Sequence, residues 1–299
     1  MVNGLASRKK RAALITGLVM ISPWLVNMLL MIVYPTLYNL GIGMTHYSGM
    51  GTPKWIGFDN YTFMFKDKLY GKSLYNTIYY TLLAVPIGVC TAMLLALAMN
   101  RKLKEIALYR AILALPSVLP LFALALVFMW VMNPRYGILN IMLGLAGIHV
   151  DWLGDPRWAK FSLVLLSQLG AGQYGLIFLA AMRGISPDLY DAASIDGANG
   201  IQKFWRITFP MMTPIILYDV IVGVGFGLQV FMQAYIMTQG GPANATMFNA
   251  LYIYNNAFRY GSSIGYAAAM SNVLFFINVV VAVVIFKTSK YWVYEETNG

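Results

Sequence analysis

Polar side chains that could bind a polar solute recur inside the long apolar stretches of this chain. If residues 211–236 form a helix, Asp219, Phe226, Gln229 and Gln233 fall on one stripe about 80–100° wide. Amides can hydrogen-bond the hydroxyls of a sugar, and an aromatic ring can stack on the apolar face of the sugar ring. The stripe therefore predicts part of a path for a carbohydrate-like solute.

A second polar group occurs in the preceding apolar stretch. Gln168, Gln173 and Tyr174 surround Gly170 and Gly172. Polar side chains within a membrane helix are costly and often mark a substrate path. They also commonly hydrogen-bond neighbouring helices, so a purely structural role stays open for this group and for the glutamines of the first stripe.

Two further interpretations stay open near the first stripe. Asp219 follows Pro214 closely, so it could instead form an ion pair near the inner membrane boundary. Gly223, Gly225 and Gly227 could soften or break the helix near the membrane midplane, as in discontinuous transporter helices. Close packing against a neighbouring helix would explain these glycines equally well.

Composition assigns these residues to membrane-spanning helices. The 299 residues are 59% hydrophobic and 11% charged, with mean hydropathy +0.65, which leaves too few charges to cover a soluble surface. A spanning helix needs about 20 mostly apolar residues. We expect an all-α polytopic membrane protein, because backbone groups in lipid must be satisfied internally. Six transmembrane helices are predicted, at roughly 13–35, 76–99, 111–132, 160–182, 211–236 and 263–286.

The distribution of basic residues predicts that both termini are cytoplasmic. The first apolar run is too long for a signal peptide and lacks a small-residue cleavage site, so it is interpreted as an uncleaved helix. The predicted organisation is a basic cytoplasmic N-terminus (1–11), a transmembrane domain (12–287) with a cytoplasmic loop at 184–210, and a cytoplasmic tail (288–299). The basic residues on the inner side are Arg8, Lys9, Lys10, Arg11, Arg101, Lys102, Lys104, Arg110, Arg183, Lys203, Arg206, Lys287 and Lys290.

Several classes of chemistry find no support in the sequence. The net charge of +10 is explained by the inner-side bias and by attraction to anionic lipid, so no nucleic acid partner is expected. Cys90 is the only cysteine, which excludes an internal disulfide. His46 and His149 have no ligand cluster nearby, so no metal site is expected, and no P-loop motif for ATP occurs.

The loop at 184–210 carries specific capping signals. Ser186 followed by Pro187 is typical of a helix start, and a short helix is predicted from Pro187 to about Ile195. Asp196 and Gly197 would end it, since glycine adopts the left-handed conformation without a steric cost. The loop is thus predicted to be structured.

A second short helix is predicted to follow. Asn199 with Gln202 three residues later is typical of another cap, and this helix would carry Phe204 towards the membrane. Pro210 and Pro214 would mark the re-entry of the chain into the fifth span. The prediction is two short helices joined by a glycine corner at the cytoplasmic face.

These residues resemble a known family motif. The pattern of Asp191, Ala192, Ala193, Asp196, Gly197 and Ala198, followed by Phe204, Ile207, Pro210 and Pro214, is similar to the EAA loop of binding-protein-dependent ABC importer permeases. Over roughly residues 10–290, the chain resembles the sugar-type branch of this family, which includes maltose and glycerol-3-phosphate importer subunits. Two departures are Asp191, where the family usually has Glu, and Gln239, where it often has Gly. The further matching segments are 110–120, 133–140, 238–246 and 252–258.

The resemblance implies the MetI-like permease fold and a role in a bacterial inner (cytoplasmic) membrane. In such importers the EAA helix docks in a groove of a cytoplasmic ATPase and transmits its closure. The implied partners are a second homologous permease, two ABC ATPases and an extracytoplasmic solute-binding protein, with ATP and Mg held by the ATPases and no cofactor in this chain. The implied coupling residues are Tyr190, Asp191, Ala192, Ala193, Asp196, Gly197, Ala198 and Phe204.

Two other functions were weighed against an importer subunit. A secondary transporter or channel would require paired charges within the membrane, and only Asp219 qualifies. A membrane-embedded enzyme would require several acidic or histidine residues near an interface. Neither alternative accounts for the structured loop at 184–210.

Overall fold

The computed structural model describes residues 2–101, 105–261 and 263–294, with side chains from residue 14 onward. Lys102, Lys104, the side chains of residues 8–11 and the tail residues 295–299, which entered the sequence predictions, lie outside this description. The described chain is mostly helical. Its α-helices are α1 (Val2–Met28), α2 (Tyr34–Ile42), α3 (Asp59–Lys66), α4 (Lys68–Met99), α5 (Ile106–Val118), α6 (Leu121–Val131), α7 (Ile138–Gly144), α8 (Pro156–Ser167), α9 (Ala171–Gly184), α10 (Pro187–Ile195), α11 (Gly200–Lys203), α12 (Phe209–Leu228), α13 (Met232–Met237), α14 (Asn249–Phe258) and α15 (Ile264–Ser289).

Three short helical turns of other types join some of these helices. Leu29–Val33 forms a π-helical turn between α1 and α2, so the helix is continuous from Val2 to Ile42. Gln168–Gly170 forms a 3-10 turn between α8 and α9, and Phe204–Thr208 forms a π-helical turn between α11 and α12. Each pair of joined helices therefore forms one continuous helical stretch.

The chain divides into two compact units. The first contains residues 1–64 and 256–272, and the second contains residues 65–255 and 273–299. In the first unit the outer segment after α2 contains a minimal antiparallel pair, β1 (Thr45–His46) and β2 (Lys54–Trp55). This pair is a small addition to a fold predicted as all-helical.

A hydrogen-bonded amide pair holds the helices of the first unit together. The Asn39 side chain donates to Asn272 Oδ1 over 2.7 Å, and Asn272 Nδ2 donates to the Tyr61 hydroxyl over 3.1 Å. Gly43 leaves the space for this pair, because a Cβ there would lie 2.6 Å from Asn272 Nδ2.

Five helical stretches are long and apolar enough to cross a membrane: Leu14–Ile42, Lys68–Met99, Pro156–Gly184, Gly200–Met237 and Ile264–Ser289. The predicted third span at 111–132 is a bent pair: α5 and α6 are together long and apolar enough to cross a membrane, and they would make the sixth span. The chain bends by 100° between α5 and α6. Leu119 is extended with ψ 142° because the ring of Pro120 disfavours a helical residue before it.

The fifth span also differs from the single helix predicted at 211–236. It is interrupted between α12 and α13, directly after the glycine-rich stretch. A Cβ on Gly227 would lie 2.9 Å from Thr81 of α4, and a Cβ on Gly223 would lie 3.4 Å from Val85. Gly225 has open space around it. Close packing on α4 therefore explains Gly227, whereas a Cβ on Gly223 would make only ordinary contact. The break follows these glycines.

The core of the second unit lies between α4, α9 and α12. Alanines of α4, including Ala92 and Ala96, let the helices approach, and Phe178, Met182 and Met212 fill the space between them. Two features adjoin this core: a cavity on one side of the three helices, and the loop that joins α9 to α12.

Candidate functional site

The loop between α9 and α12 begins with the predicted helix. Ser186 caps α10, accepting the backbone N–H of Asp188 with its hydroxyl, and Pro187 occupies the first helical position. The helix ends at Ile195, as predicted. Gly197 follows with φ +76°, a left-handed conformation that favours glycine. These local signals are confirmed.

The second cap is confirmed, but the helix it starts is not short. Asn199 and Gln202 form a reciprocal capping box, with side chain to backbone bonds of 2.8 and 2.9 Å. The helix then continues through the π-helical turn into α12 without leaving the helical path. Pro210 lies in the first turn of α12, as predicted, but the chain reaches it along a continuous helical path and not from a separate short helix. The wider turn, in which the N–H of Phe209 bonds to the carbonyl of Phe204, directly precedes this proline, which has no N–H to donate.

The exposed surface of α10 and its glycine corner combines small, acidic and apolar groups. Asp191, Ala192, Asp196 and Gly197 are exposed, and Ala193 and Ala198 are half-buried. The apolar residues beside them, Leu189, Ile195 and Ile201, are also exposed, and Ile195 keeps 87% of its side-chain surface accessible. We call this surface, residues 189–201, the coupling surface, after the role that the family resemblance implies.

Two residues join the coupling surface to the membrane helices. The Tyr190 hydroxyl lies 2.9 Å from Oγ1 of the buried Thr208, just before α12. Phe204 packs against the core between α4, α9 and α12 and contacts the rings of Trp205 and Phe209. A displacement of α10 would therefore pull on the base of α12.

A cavity of about 490 Å³ lies between α4, α5, α6, α8, α9, α12 and α13. It contains six of the seven residues predicted for the solute path, and it gathers them from two spans. They are Gln168, Tyr174, Asp219, Phe226, Gln229 and Gln233. Gln173, the seventh, is exposed and does not line this cavity.

The polar atoms of this cavity are only partly engaged. Gln168 Nε2 donates to the carbonyl of Val164 over 3.0 Å, while its buried Oε1 accepts no hydrogen bond from any residue the structure describes. Gln229 Nε2 donates to the carbonyl of Gly225. Asp219 is buried, with only 6% of its surface exposed. It has neither a hydrogen bond nor an ion pair within the described chain. The ion-pair alternative for Asp219 thus finds no partner there.

Sequence reasoning missed several residues that line the same cavity. Tyr80 lies on α4, Ser117 lies at the end of α5, and Ser167 lies at the end of α8. A hydroxyl in an apolar helix is a weak sequence signal, because serine and threonine often bond the carbonyl one turn earlier. Ser117 and Ser167 both do so, at 2.7 Å.

The outer turn after α13 is also ordered by residues that the sequence did not single out. Gln239 and Gly240 adopt left-handed conformations, as the predicted chain reversal requires. Asn76 of α4 donates to the carbonyls of Asn244 and Met247, and it accepts from Lys160 at 3.1 Å. The turn is therefore fixed to α4. No group of three metal-ligating residues occurs among the residues described.

The chain resembles known proteins in its family pattern, its sequence and its fold. The model of the family described as "Binding-protein-dependent transport system inner membrane component" matches residues 84–290. The chain is 36% identical to the probable ABC transporter permease protein YesP of Bacillus subtilis (strain 168), covering 97% of this chain and 96% of that protein. It is 33% identical to the lactose transport system permease protein LacF of Rhizobium radiobacter, covering 90% and 92%.

A solved structure shares the fold. The crystal structure of a bacterial alginate ABC transporter, in complex with an alginate pentasaccharide-bound periplasmic protein, contains a chain that matches with a TM-score of 0.82. The identity is 23%, and the match covers 95% of this chain and 96% of that one. The spanning helices and these relatives agree. The protein is a multi-pass membrane permease, a transport subunit and not an enzyme, and it belongs to the family of inner-membrane components of binding-protein-dependent transport systems.

Proposed function

We propose that this permease is one half of the membrane channel of an ATP-driven importer for a carbohydrate, in a bacterial cytoplasmic membrane. A second, homologous permease would complete the channel. Two cytoplasmic ATPases would hold ATP and Mg, and an extracytoplasmic binding protein would deliver the solute. The lactose permease among the relatives supports a carbohydrate as solute.

The observation that carries this proposal is the coupling surface. An exposed apolar group such as Ile195 on a short, capped helix is costly to leave in water and suits a protein contact. Small side chains at Ala192 and Ala193 allow a partner groove to approach the backbone closely. The bond between Tyr190 and Thr208 would pass the movement of a docked partner to α12.

The cavity supplies the second half of the mechanism. The cavity lies beside α12, the helix that the coupling surface would move. The break in the fifth span after Leu228 would give this span a point at which it can bend. Closure of the ATPases on binding ATP would open the cavity outward to the binding protein. Hydrolysis would then return the assembly to its inward state, which releases the solute inside.

The test is reconstitution of the complete assembly in liposomes with a panel of carbohydrates. ATP hydrolysis should rise at least severalfold with one carbohydrate and its loaded binding protein, and that carbohydrate should accumulate inside. Stimulation by no carbohydrate, or by an unrelated solute such as an amino acid, would contradict the proposal. The relative of known structure takes up alginate, an acidic polysaccharide, so the fold alone leaves the charge of the solute open.

A further inference from the structure

We propose that the cavity accepts hydroxyl-rich solutes that carry no anionic group, and that Asp219 is the residue that enforces this selectivity. The inference rests on the proposed function and adds the charge class of the substrate. It starts from the side chains of the cavity wall, where Asp219 supplies a carboxylate and no lysine, arginine or histidine is present among the described lining residues.

The buried position of Asp219 makes its charge effective. Only 6% of the residue is exposed, and it has no counter-ion or hydrogen-bond donor within the described chain. A buried charge acts strongly on its surroundings because the local dielectric constant is low. A carboxylate, sulfate or phosphate on a solute would meet this charge without a compensating cation in the wall.

The second observation is the character of the free polar atoms. Gln168 Oε1 is buried without a donor, and the Asp219 carboxylate, which lines the cavity, has no hydrogen bond or ion pair within the described chain. Both atoms are acceptors, so a solute gains by supplying donors. The hydroxyl groups of a neutral sugar are such donors, whereas an anionic group would add only more acceptors.

The electrostatic claim can be tested without knowing the solute. Gly223 lines the cavity one helical turn after Asp219, about 5–6 Å away, and a Cβ there makes only ordinary contact with Val85. In the complete assembly, Cys90→Ser removes this chain's own thiol and Gly223→Cys supplies a new one. The new thiol is reacted with either cationic aminoethyl methanethiosulfonate or anionic sulfonatoethyl methanethiosulfonate. Phe226→Cys, an exposed position of the same wall, serves as a second reporter.

The cationic reagent should react faster than the anionic one, after correction for their rates with a free thiol. Adding Asp219→Asn should reduce that ratio by about tenfold. The matched control is Asp155→Asn, a carboxylate outside the cavity, which should leave the ratio unchanged. The proposal would be overturned if, at both reporter positions, the ratio of cationic to anionic reaction rates were the same with and without Asp219→Asn.

The solute claim is tested by ATP hydrolysis with neutral oligosaccharides and their carboxylated counterparts. Neutral sugars should stimulate hydrolysis, and carboxylated ones should not. Equal stimulation by a carboxylated sugar would overturn the selectivity while leaving the proposed importer intact. No stimulation by any carbohydrate would instead contradict the proposed function, and the thiol rates would still report whether Asp219 makes the cavity anionic.

Discussion

The Tyr190 hydroxyl and Oγ1 of Thr208 lie 2.9 Å apart, and this bond joins the exposed α10 to the base of the fifth span. The two residues are 18 positions apart, on opposite sides of the glycine corner. Because Thr208 is buried, its hydrogen bond with the Tyr190 hydroxyl is largely shielded from solvent. Under the proposed function, the bond would carry movement from a docked subunit to α12.

Replacing Tyr190 with Phe should therefore weaken coupling more than it weakens folding. The change removes one hydrogen bond and leaves the buried Thr208 hydroxyl without its partner, at a cost of about 1–3 kcal/mol. We expect solute-stimulated ATP hydrolysis to fall severalfold while the basal rate stays within about twofold. Tyr136→Phe, at an exposed tyrosine of the outer segment, is the control and should leave both rates unchanged.

Gly197→Val should uncouple transport without preventing membrane insertion. The residue has φ +76°, where a Cβ costs about 1–2 kcal/mol and a β-branched side chain costs more. No atom lies within 4 Å of the added Cβ, so the effect comes from the backbone and not from crowding. Gly200→Val, at a helix start with open space and without a left-handed backbone, is the matched control.

In the Gly197→Val variant, stimulated ATP hydrolysis should be lost while the amount of protein in the membrane stays normal. Full coupling in this variant would show that the corner is not needed. Loss of coupling in both glycine variants would point instead to a clash of any larger side chain with the docked subunit.

Gly172→Ala should destabilise the protein, and Gly170→Ala should not. A Cβ on Gly172 would overlap the carbonyl oxygen of Leu113 in α5, while Gly170 has no atom within 4 Å. Because a backbone atom cannot move aside cheaply, we expect a loss of about 1–3 kcal/mol. Thermal unfolding in detergent should show a lower midpoint for the first variant only. Equal midpoints would contradict the close approach of α5 and α9.

Asn140→Leu should loosen the outer segment at 133–158. The buried amide donates to the carbonyl of Val150 and accepts from Trp152 Nε1. Leucine would leave these groups unpaired, at about 1–3 kcal/mol each. Trypsin cleavage after Arg135 should become faster. Met142→Ala, at an exposed position of the same short helix, is the control, and equal cleavage of both variants would count against this role of Asn140.

The extent to which the sequence predicted the structure follows from how local each signal is. The caps at Ser186 and Asn199 and the corner at Gly197 depend on neighbours a few residues away, so residue types suffice to place them. The bend at Pro120 was missed, because the apolar run continues through it and hydropathy does not register a break. The hydrogen bonds of Asn140 to residues ten and twelve positions away were not foreseeable from local pattern.

The cavity shows the same limit. Gln173 and Tyr174 are adjacent in sequence, but a helix turns about 100° between them, and only Tyr174 lines the wall. The 3-10 turn at Gln168–Gly170 changes the helical phase between Gln168 and these residues. Sequence periodicity assumes an uninterrupted helix, so it could not separate the two neighbours.

Solute uptake into proteoliposomes, compared between this chain alone and the complete assembly, tests most directly whether a separate ATPase drives transport. Solute should accumulate only when the ATPases, ATP and the loaded binding protein are all present, and accumulation should be lost when Gly197 is replaced by Val. Uptake by the isolated chain without any nucleotide would contradict the claim that a separate motor drives transport through residues 189–201.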